Sequence, residues 1–241
     1  MTTLARITIT LILVLLFSSC GFDINIGQGE KGNGNVQEDM RTVKGDFSAI
    51  SASEGLNVYV TQGEDYDILV EADENIIELI ATDLRSGVLR IHTVENIGRA
   101  TKKIYVTLPK ITVLKTSSGA DLIANSVIKS ETIELNASSG SNLTIEDLNA
   151  DKVSANTSSG ANISIAGQSN TFNGNASSGS GIKAHNLTTA VCRANASSGA
   201  NISINVTESL FAEASSGADI KYSGNPKVEG KKSSSGSVSQ L

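Results

Sequence analysis

The sequence predicts an all-β protein: a right-handed parallel β-solenoid (β-helix) with coils of about 20 residues, entered through wider, irregular N-terminal coils. Three observations point there. Ser-Ser-Gly recurs seven times, starting at Ser117, Ser138, Ser158, Ser177, Ser197, Ser215 and Ser234, at spacings of 21, 20, 19, 20, 18 and 19 residues. Apolar residues alternate with polar ones on both sides of each recurrence, which is the period of a strand with one buried face. Helical periodicity is absent throughout this half. Units of this length cannot bury a core alone but can do so by stacking. The right hand follows from the strong bias of parallel crossovers.

Taken in order, the chain opens with Arg6, an apolar run over 7–17, and Ser18 and Ser19 before Cys20. This reads as a lipoprotein signal peptide, 1–19, because the run is shorter than the roughly 20 residues that a permanent spanning helix needs. Cleavage before Cys20 makes its thiol the lipidation site. Residues 20–45 are rich in Gly, Asn and charge and predict a flexible tether. The folded domain spans 46–241, with an irregular region at 46–116, regular repeats at 117–223 and a C-terminal cap at 224–241.

In the irregular region, Ser53-Glu54-Gly55-Leu56-Asn57-Val58-Tyr59-Val60 matches Ser197 to Ile204 position by position and predicts a degenerate first coil. Further strand-like runs lie at 66–72, 88–93 and 103–108, and the mixed stretch 74–84 is a helix candidate. Wider coils capping the stack are expected here, with a separate β-sandwich as the alternative.

Each coil of the regular repeats is expected to contain two or three short strands. The inward columns after each turn are Ala120 and Leu122, Leu143 and Ile145, Ile163 and Ile165, Ile182 and Ala184, Ile202 and Ile204, Ile220 and Tyr222. Before each turn they are Ile133, Leu135 and Ala137, and their counterparts in the next four coils, Val153 to Thr157, Phe172 to Ala176, Cys192 to Ala196 and Leu210 to Ala214. Val127, Leu148, Leu187 and Val206 are assigned to a corner. The turns themselves comprise Ser117, Ser118, Gly119; Ser138, Ser139, Gly140; Ser158, Ser159, Gly160; Ser177, Ser178, Gly179; Ser197, Ser198, Gly199; and Ser215, Ser216, Gly217. Glycine there permits a positive φ, and the hydroxyls are expected to satisfy buried amides or their copies in the next coil. A ligand-binding serine row is the alternative.

Two outward columns carry side-chain amides or acids: Asn136, Asn156, Asn175 and Asn195 before the turn, and Asp121, Asn142, Asn162, Asn201 and Asp219 after it. Stacked amides hydrogen-bond along an axis. The same columns could bind a glycan or a protein partner, although no aromatic row accompanies them. Beyond Tyr222, Pro226, Lys227, Lys231 and Lys232 are expected to interrupt pairing and blunt the end.

Composition narrows the function. With 4% aromatics and no Trp, the core must be built from small aliphatic residues. Two histidines and two cysteines are too few and scattered for a His/Cys zinc site, so no metal and no cofactor are expected. A formal charge of −6 opposes nucleic-acid binding. Cys192 has no disulfide partner in the folded domain and is assigned to packing. No catalytic residues are expected. The recurring serines lack an accompanying His or Lys, and the acids of the coils, from Asp121 and Glu131 to Asp219, are dispersed.

The opening FSAISASEGLNVYVTQG, the central VTLPKITVLKTSSGADL and the repeated SSGAN or SSGAD turns resemble the head GIN domain family of putative auto-transporter adhesins, common among lipoproteins of Bacteroidota-type bacteria. The resemblance covers 46–241. Its Gly-x-Asn element stands here as Gly55-Leu56-Asn57, Gly140-Ser141-Asn142, Gly160-Ala161-Asn162 and Gly199-Ala200-Asn201. It implies a β-helix-like fold and a surface or periplasmic place, and it carries over no catalytic residue. The function expected is a non-enzymatic module attached to the envelope, at the outer membrane, through an N-terminal lipid. Its expected partners are glycans or envelope or host proteins. A self-associating scaffold and a β-helix polysaccharide lyase or hydrolase are the alternatives, the last on fold analogy alone.

Overall fold

The structure, a computed structural model, describes residues 29–42 and 44–241. The signal segment and Cys20 lie outside the described residues. The described residues form sixteen strands in one continuous hydrogen-bonded sheet that winds around one core. The first eight are β1 (Val36–Arg41), β2 (Ala49–Ala52), β3 (Asn57–Gln62), β4 (Asp67–Asp73), β5 (Ile80–Arg85), β6 (Val88–Thr93), β7 (Lys102–Leu108) and β8 (Val113–Thr116). Five long strands follow, β9 (Asp121–Ala137), β10 (Asn142–Thr157), β11 (Asn162–Ala176), β12 (Gly181–Ala196) and β13 (Asn201–Ser215). The last three are β14 (Asp219–Ser223), β15 (Lys227–Ser234) and β16 (Ser237–Gln240).

The regular half is a parallel β-solenoid. Each of β9 to β13 runs from one Ser-Ser-Gly turn to the next and pairs in parallel with its copy in the neighbouring coil. A coil is therefore one long strand bent at a mid-coil register shift, rather than two or three separate ones. All the inward columns are buried. The largest fully buried side chain is matched by the smallest residue, two positions along the same strand: a Cβ on Gly174 would stand 2.7 Å from the ring of Phe172. The bulky and the missing side chain together keep the coil's volume constant.

The corner differs by one residue from expectation. Val127 is 48% exposed, and Ile128 takes the buried place opposite Leu148. The first repeat is 21 residues long, and its extra residue forms a bulge in β9 between Ala124 and Val127. A one-residue slip carries a side chain to the other face.

The irregular half merges with the stack. β2, the Glu54-Gly55 turn and β3 form a coil that lies on β8 and β9, with Gly55 N donating to Ser118 O at 3.0 Å. β6 and β7 lie on the far side of that coil, paired in parallel with β2 and β3. Chain order and stacking order thus differ, because β7 leads to β8 across the β2–β3 coil. The parallel ladder ends there. β5 pairs antiparallel with β6, β4 with β7 and β1 with β4, which closes this end of the core. The helix candidate at 74–84 is a single 3-10 turn, Ile77–Leu79, followed by β5.

Two further expectations are corrected. Over residues 29–42 the predicted tether lies against the domain: Glu30 bridges Ile97, β1 is an edge strand, and the buried Asp73 carboxylate accepts from Gly34 N and Thr101 N at 2.6 Å each. β1 buries neither face, with Val36 and Met40 exposed, so it has no alternation to display. The C-terminal segment also continues the ladder instead of interrupting it. β15 pairs with β13 and β16 with β14, and Pro226 sits between strands where no ladder N–H is required.

Candidate functional site

The site is built by the turn. In the six turns from Ser117 to Gly217, the second Ser has φ between 50 and 54° and the Gly between 68 and 74°, and the fourth residue's N–H donates to the first Ser carbonyl at 3.1 to 3.3 Å. These are type I′ turns, which need positive φ at both central positions. Backbone bonds join them between coils. Gly140 N donates to Ser159 O at 3.0 Å, Ser158 N to Ala137 O at 3.1 Å, and the other turns repeat this. The amides of the first Ser from Ser117 to Ser197, of the Gly and of the residue after it thereby find backbone acceptors, and the second serines are exposed.

The hydroxyls that do satisfy amides belong to the residue after glycine. Ser141 Oγ accepts from Ser138 N at 3.2 Å and lies 2.9 Å from Thr116 Oγ1. Ser180 Oγ accepts from Ser177 N at 3.1 Å and donates to Thr157 Oγ1 at 2.9 Å. All four hydroxyl residues are buried. Elsewhere in the regular coils both positions hold Ala, so a Thr before one turn accompanies a Ser after the next. That pairing is present in the sequence and is recognisable only once the coils are stacked in register.

The four asparagines before the turn form a continuous chain of amides. Asn156 donates to Asn136 at 3.1 Å, Asn175 to Asn156 at 2.9 Å and Asn195 to Asn175 at 3.0 Å, and Asn136 donates to Glu134 at 2.8 Å. Beside this ladder runs a groove of about 1110 Å³. Asn136, Asn156, Asn175, Asn195 and Glu213 form one rim and Ser138, Ser158, Ser177, Ser197 and Ser215 the other. The floor is Ala137, Thr157, Ala176, Ala196 and Ala214. Among the described residues the hydroxyls of those five serines have no protein partner. The groove was not foreseen, although its signal, Asn-(Ala/Thr)-Ser, recurs four times.

The second column behaves differently. Asn142 donates to Asp121 at 2.8 Å and Asn162 to Asn142 at 3.3 Å, and then Gly181 interrupts the column before Asn201 and Asp219. Toward the irregular half this column meets a small pocket of about 260 Å³ lined by Asn57, Tyr59, Asp121, Ile123 and Asn142. There Tyr59 stacks on Tyr105 with ring centroids 5.1 Å apart, and Tyr105 Oη donates to Glu71 at 3.1 Å. Lys103, 2.8 Å from Glu71, holds that carboxyl below the usual range by its hydrogen bond. Aromatic surface does therefore stand beside an amide column, contributed by irregular coils whose register the sequence does not display.

Cys192 is buried in the core between Phe172 and Leu210, and desolvation pushes its thiol up to about 12. It packs, and it is not poised to react. Among the described residues no three His, Cys, Asp or Glu side chains cluster as metal ligands. Asp83 and His92 form a pair at 2.9 Å on the β5–β6 hairpin.

The same architecture recurs among known proteins. The sequence profile of the family described as putative auto-transporter adhesin, head GIN domain, matches residues 46–226. The chain belongs to that family. No curated protein is similar enough to match. Among solved structures, the head GIN solenoid resembles a putative adhesin from Bacteroides fragilis, at 20% identity and a TM-score of 0.82, over 88% of this chain and all of that one. A putative adhesin from Parabacteroides merdae has 22% identity and a TM-score of 0.71, over 88% and 98% of the two chains. A protein from Parabacteroides distasonis named a putative lipid binding protein has 20% identity and a TM-score of 0.70, again over 88% and 98%. At these identities the likeness speaks to the fold. A head GIN domain of the adhesin family points to the cell surface or envelope, and among the described residues no helix is long and apolar enough to cross a membrane.

Proposed function

We propose that the protein is a non-enzymatic binding module of the cell envelope, anchored at the outer membrane by lipid on Cys20, that engages an extended ligand along the groove. The observation that carries this reading is the groove itself: four asparagines locked in one amide chain face five serine hydroxyls that, among the described residues, no protein group uses. Hydrogen-bonding capacity lined up along a stiff stack and left unspent suits recognition more than catalysis. Membership of an adhesin family supports the same reading. The purified domain is expected to bind glycan or protein arrays, and intact cells treated with protease are expected to lose the chain if it faces outward. Cys20→Ser is expected to release it from the membrane fraction. Arrays without a hit in either class, together with Cys20→Ser chains that stay membrane-bound, would defeat the proposal.

A second reading, end-to-end self-association, is favoured by one observation. Along their outer sides β15 and β16 have no ladder partner among the described residues, which leaves a parallel edge open to another chain. Concentration-dependent light scattering tests it, and a strict monomer removes it.

A further inference from the structure

We infer that the groove is an array of subsites for a neutral, linear, β-linked polysaccharide lying along the stacking axis, with one sugar facing each coil. This rests on the binding-module reading and names its ligand class. The spacing of the coils fits such a chain. In-register parallel strands repeat every 4.8 Å or so, and a β-1,4-linked pyranose chain advances by about that distance per sugar. The Asn156-to-Ser158 step, repeated at Asn175 to Ser177 and Asn195 to Ser197, therefore meets one further sugar at each coil. An extended peptide advances about 3.3 Å per residue, so it falls out of step with the coils within two residues, whereas a β-1,4-linked chain, which likewise flips alternate units, still keeps one ring at each coil.

The chemistry of the two rims fits it as well. Sugar hydroxyls both donate and accept, and so do the free serine hydroxyls of one rim. On the other rim, an interior asparagine such as Asn175 gives one N–H to Asn156 and takes one from Asn195. That leaves it one N–H and a lone pair for a ligand. Between the ends the rims carry no charge, and Glu213 stands at one end. Lys115 stands opposite Asn136 just beyond the other end, but between the ends sulfate, uronate or phosphate groups would be desolvated without a cation to meet them. The rims are also rigid. The ladder already fixes the amides, so binding orders few protein rotamers.

The test is isothermal titration of the purified domain with cello-oligosaccharides of two to eight sugars, with oligomannuronates as the charged series of like linkage. Affinity is expected to rise with length and to level off at about five sugars, one for each serine of the rim, while the charged series binds at least tenfold more weakly. Ser177→Met, which fills the groove at a φ-permissive position and removes no protein hydrogen bond, is expected to weaken binding at least tenfold. Asn142→Ala and Tyr59→Ala, on the other side of the turn ridge, are expected to leave it unchanged. Circular dichroism confirms that each variant is folded. No binding by the neutral series, affinity independent of length, or loss through Tyr59→Ala in place of Ser177→Met would overturn the inference. Array hits confined to proteins or charged glycans would also overturn it, yet would leave the binding-module reading standing.

Discussion

Ser159 and Gly160 show what the turn demands of single residues. Both hold positive φ, 52° and 72°, yet only glycine is free of the side-chain penalty for that conformation. Gly160 has open space around the position of a Cβ, so Gly160→Ala is expected to cost only the conformational term, about 1 to 2 kcal/mol. Gly167, at φ 125°, is different in kind: a Cβ there would lie 2.1 Å from Leu148 O. Because backbone of the neighbouring coil must then move, Gly167→Ala is expected to cost clearly more, by a further 1 to 3 kcal/mol or so. Urea unfolding of the two variants side by side checks the order, and equal midpoints would contradict it. Glu71 supplies a pH dependence at the same scale. Its carboxyl is lowered, chiefly by the hydrogen bond from Lys103, so the folded state binds its proton less readily than the unfolded chain does. The resulting stabilisation is present above the ordinary carboxylate pKa and is lost as pH falls through the lowered value. Glu71→Gln is expected to flatten the acid limb of a melting-temperature profile and to leave its slope near neutrality unchanged.

At the level of the coil, the Thr-Ser couples test how one strand depends on the next. Thr157 in β10 and Ser180, which follows the turn after β11, meet in the interior across two neighbouring coils. Ser180→Ala leaves the buried Thr157 hydroxyl without its partner, and Thr157→Ala takes the acceptor from the Ser180 O–H while Ser180 Oγ keeps its bond from Ser177 N, so each is expected to destabilise by about 1 to 3 kcal/mol, Ser180→Ala the more. The double variant restores the Ala pairing used by the other coils, and its cost is expected to be well below the sum of the two. A thermodynamic cycle measures this coupling, and strict additivity would contradict it. These couples also show which elements were legible in the sequence. β9 to β13 announced themselves because each has one buried and one wet face, so periodicity and the repeat length agreed. β1 did not, because neither of its faces is buried, and β15 did not, because Pro226 in the preceding bend resembled a strand breaker. The amide column at 136, 156, 175 and 195 was readable as spacing. The groove beside it was not, since its concavity comes from two successive positive φ values in every turn, a backbone property that Ser-Ser-Gly only half declares.

Over the whole molecule, stability is carried by contacts between neighbouring coils, so the stack is quasi-one-dimensional and its two ends set where opening begins. The ends are unlike. Antiparallel β1, β4 and β5 close the first, whereas among the described residues nothing covers the parallel edge of β15 and β16 at the last. Fewer stabilising pairings hold that last coil, and opening is expected to start there and travel inward. Cys192 reports how far it travels. The thiol lies in β12, 2% exposed and held up to about 12, so alkylation requires both access to solvent and the lowered pKa that exposure restores. In a Cys20→Ser chain, iodoacetamide at pH 8 is expected to leave the native protein unmodified and to label one thiol per chain in urea, read by intact mass. Deleting residues 224–241 exposes β13 and β14 as the new end and moves the boundary one coil nearer to Cys192. Its native-state labelling is then expected to accelerate at least tenfold relative to the full stack, while the urea-unfolded rates stay equal. Identical native rates for the two chains would place the first opening at the antiparallel end or at the mid-coil corners, and would mean that the uncovered edge is no weaker than the capped one.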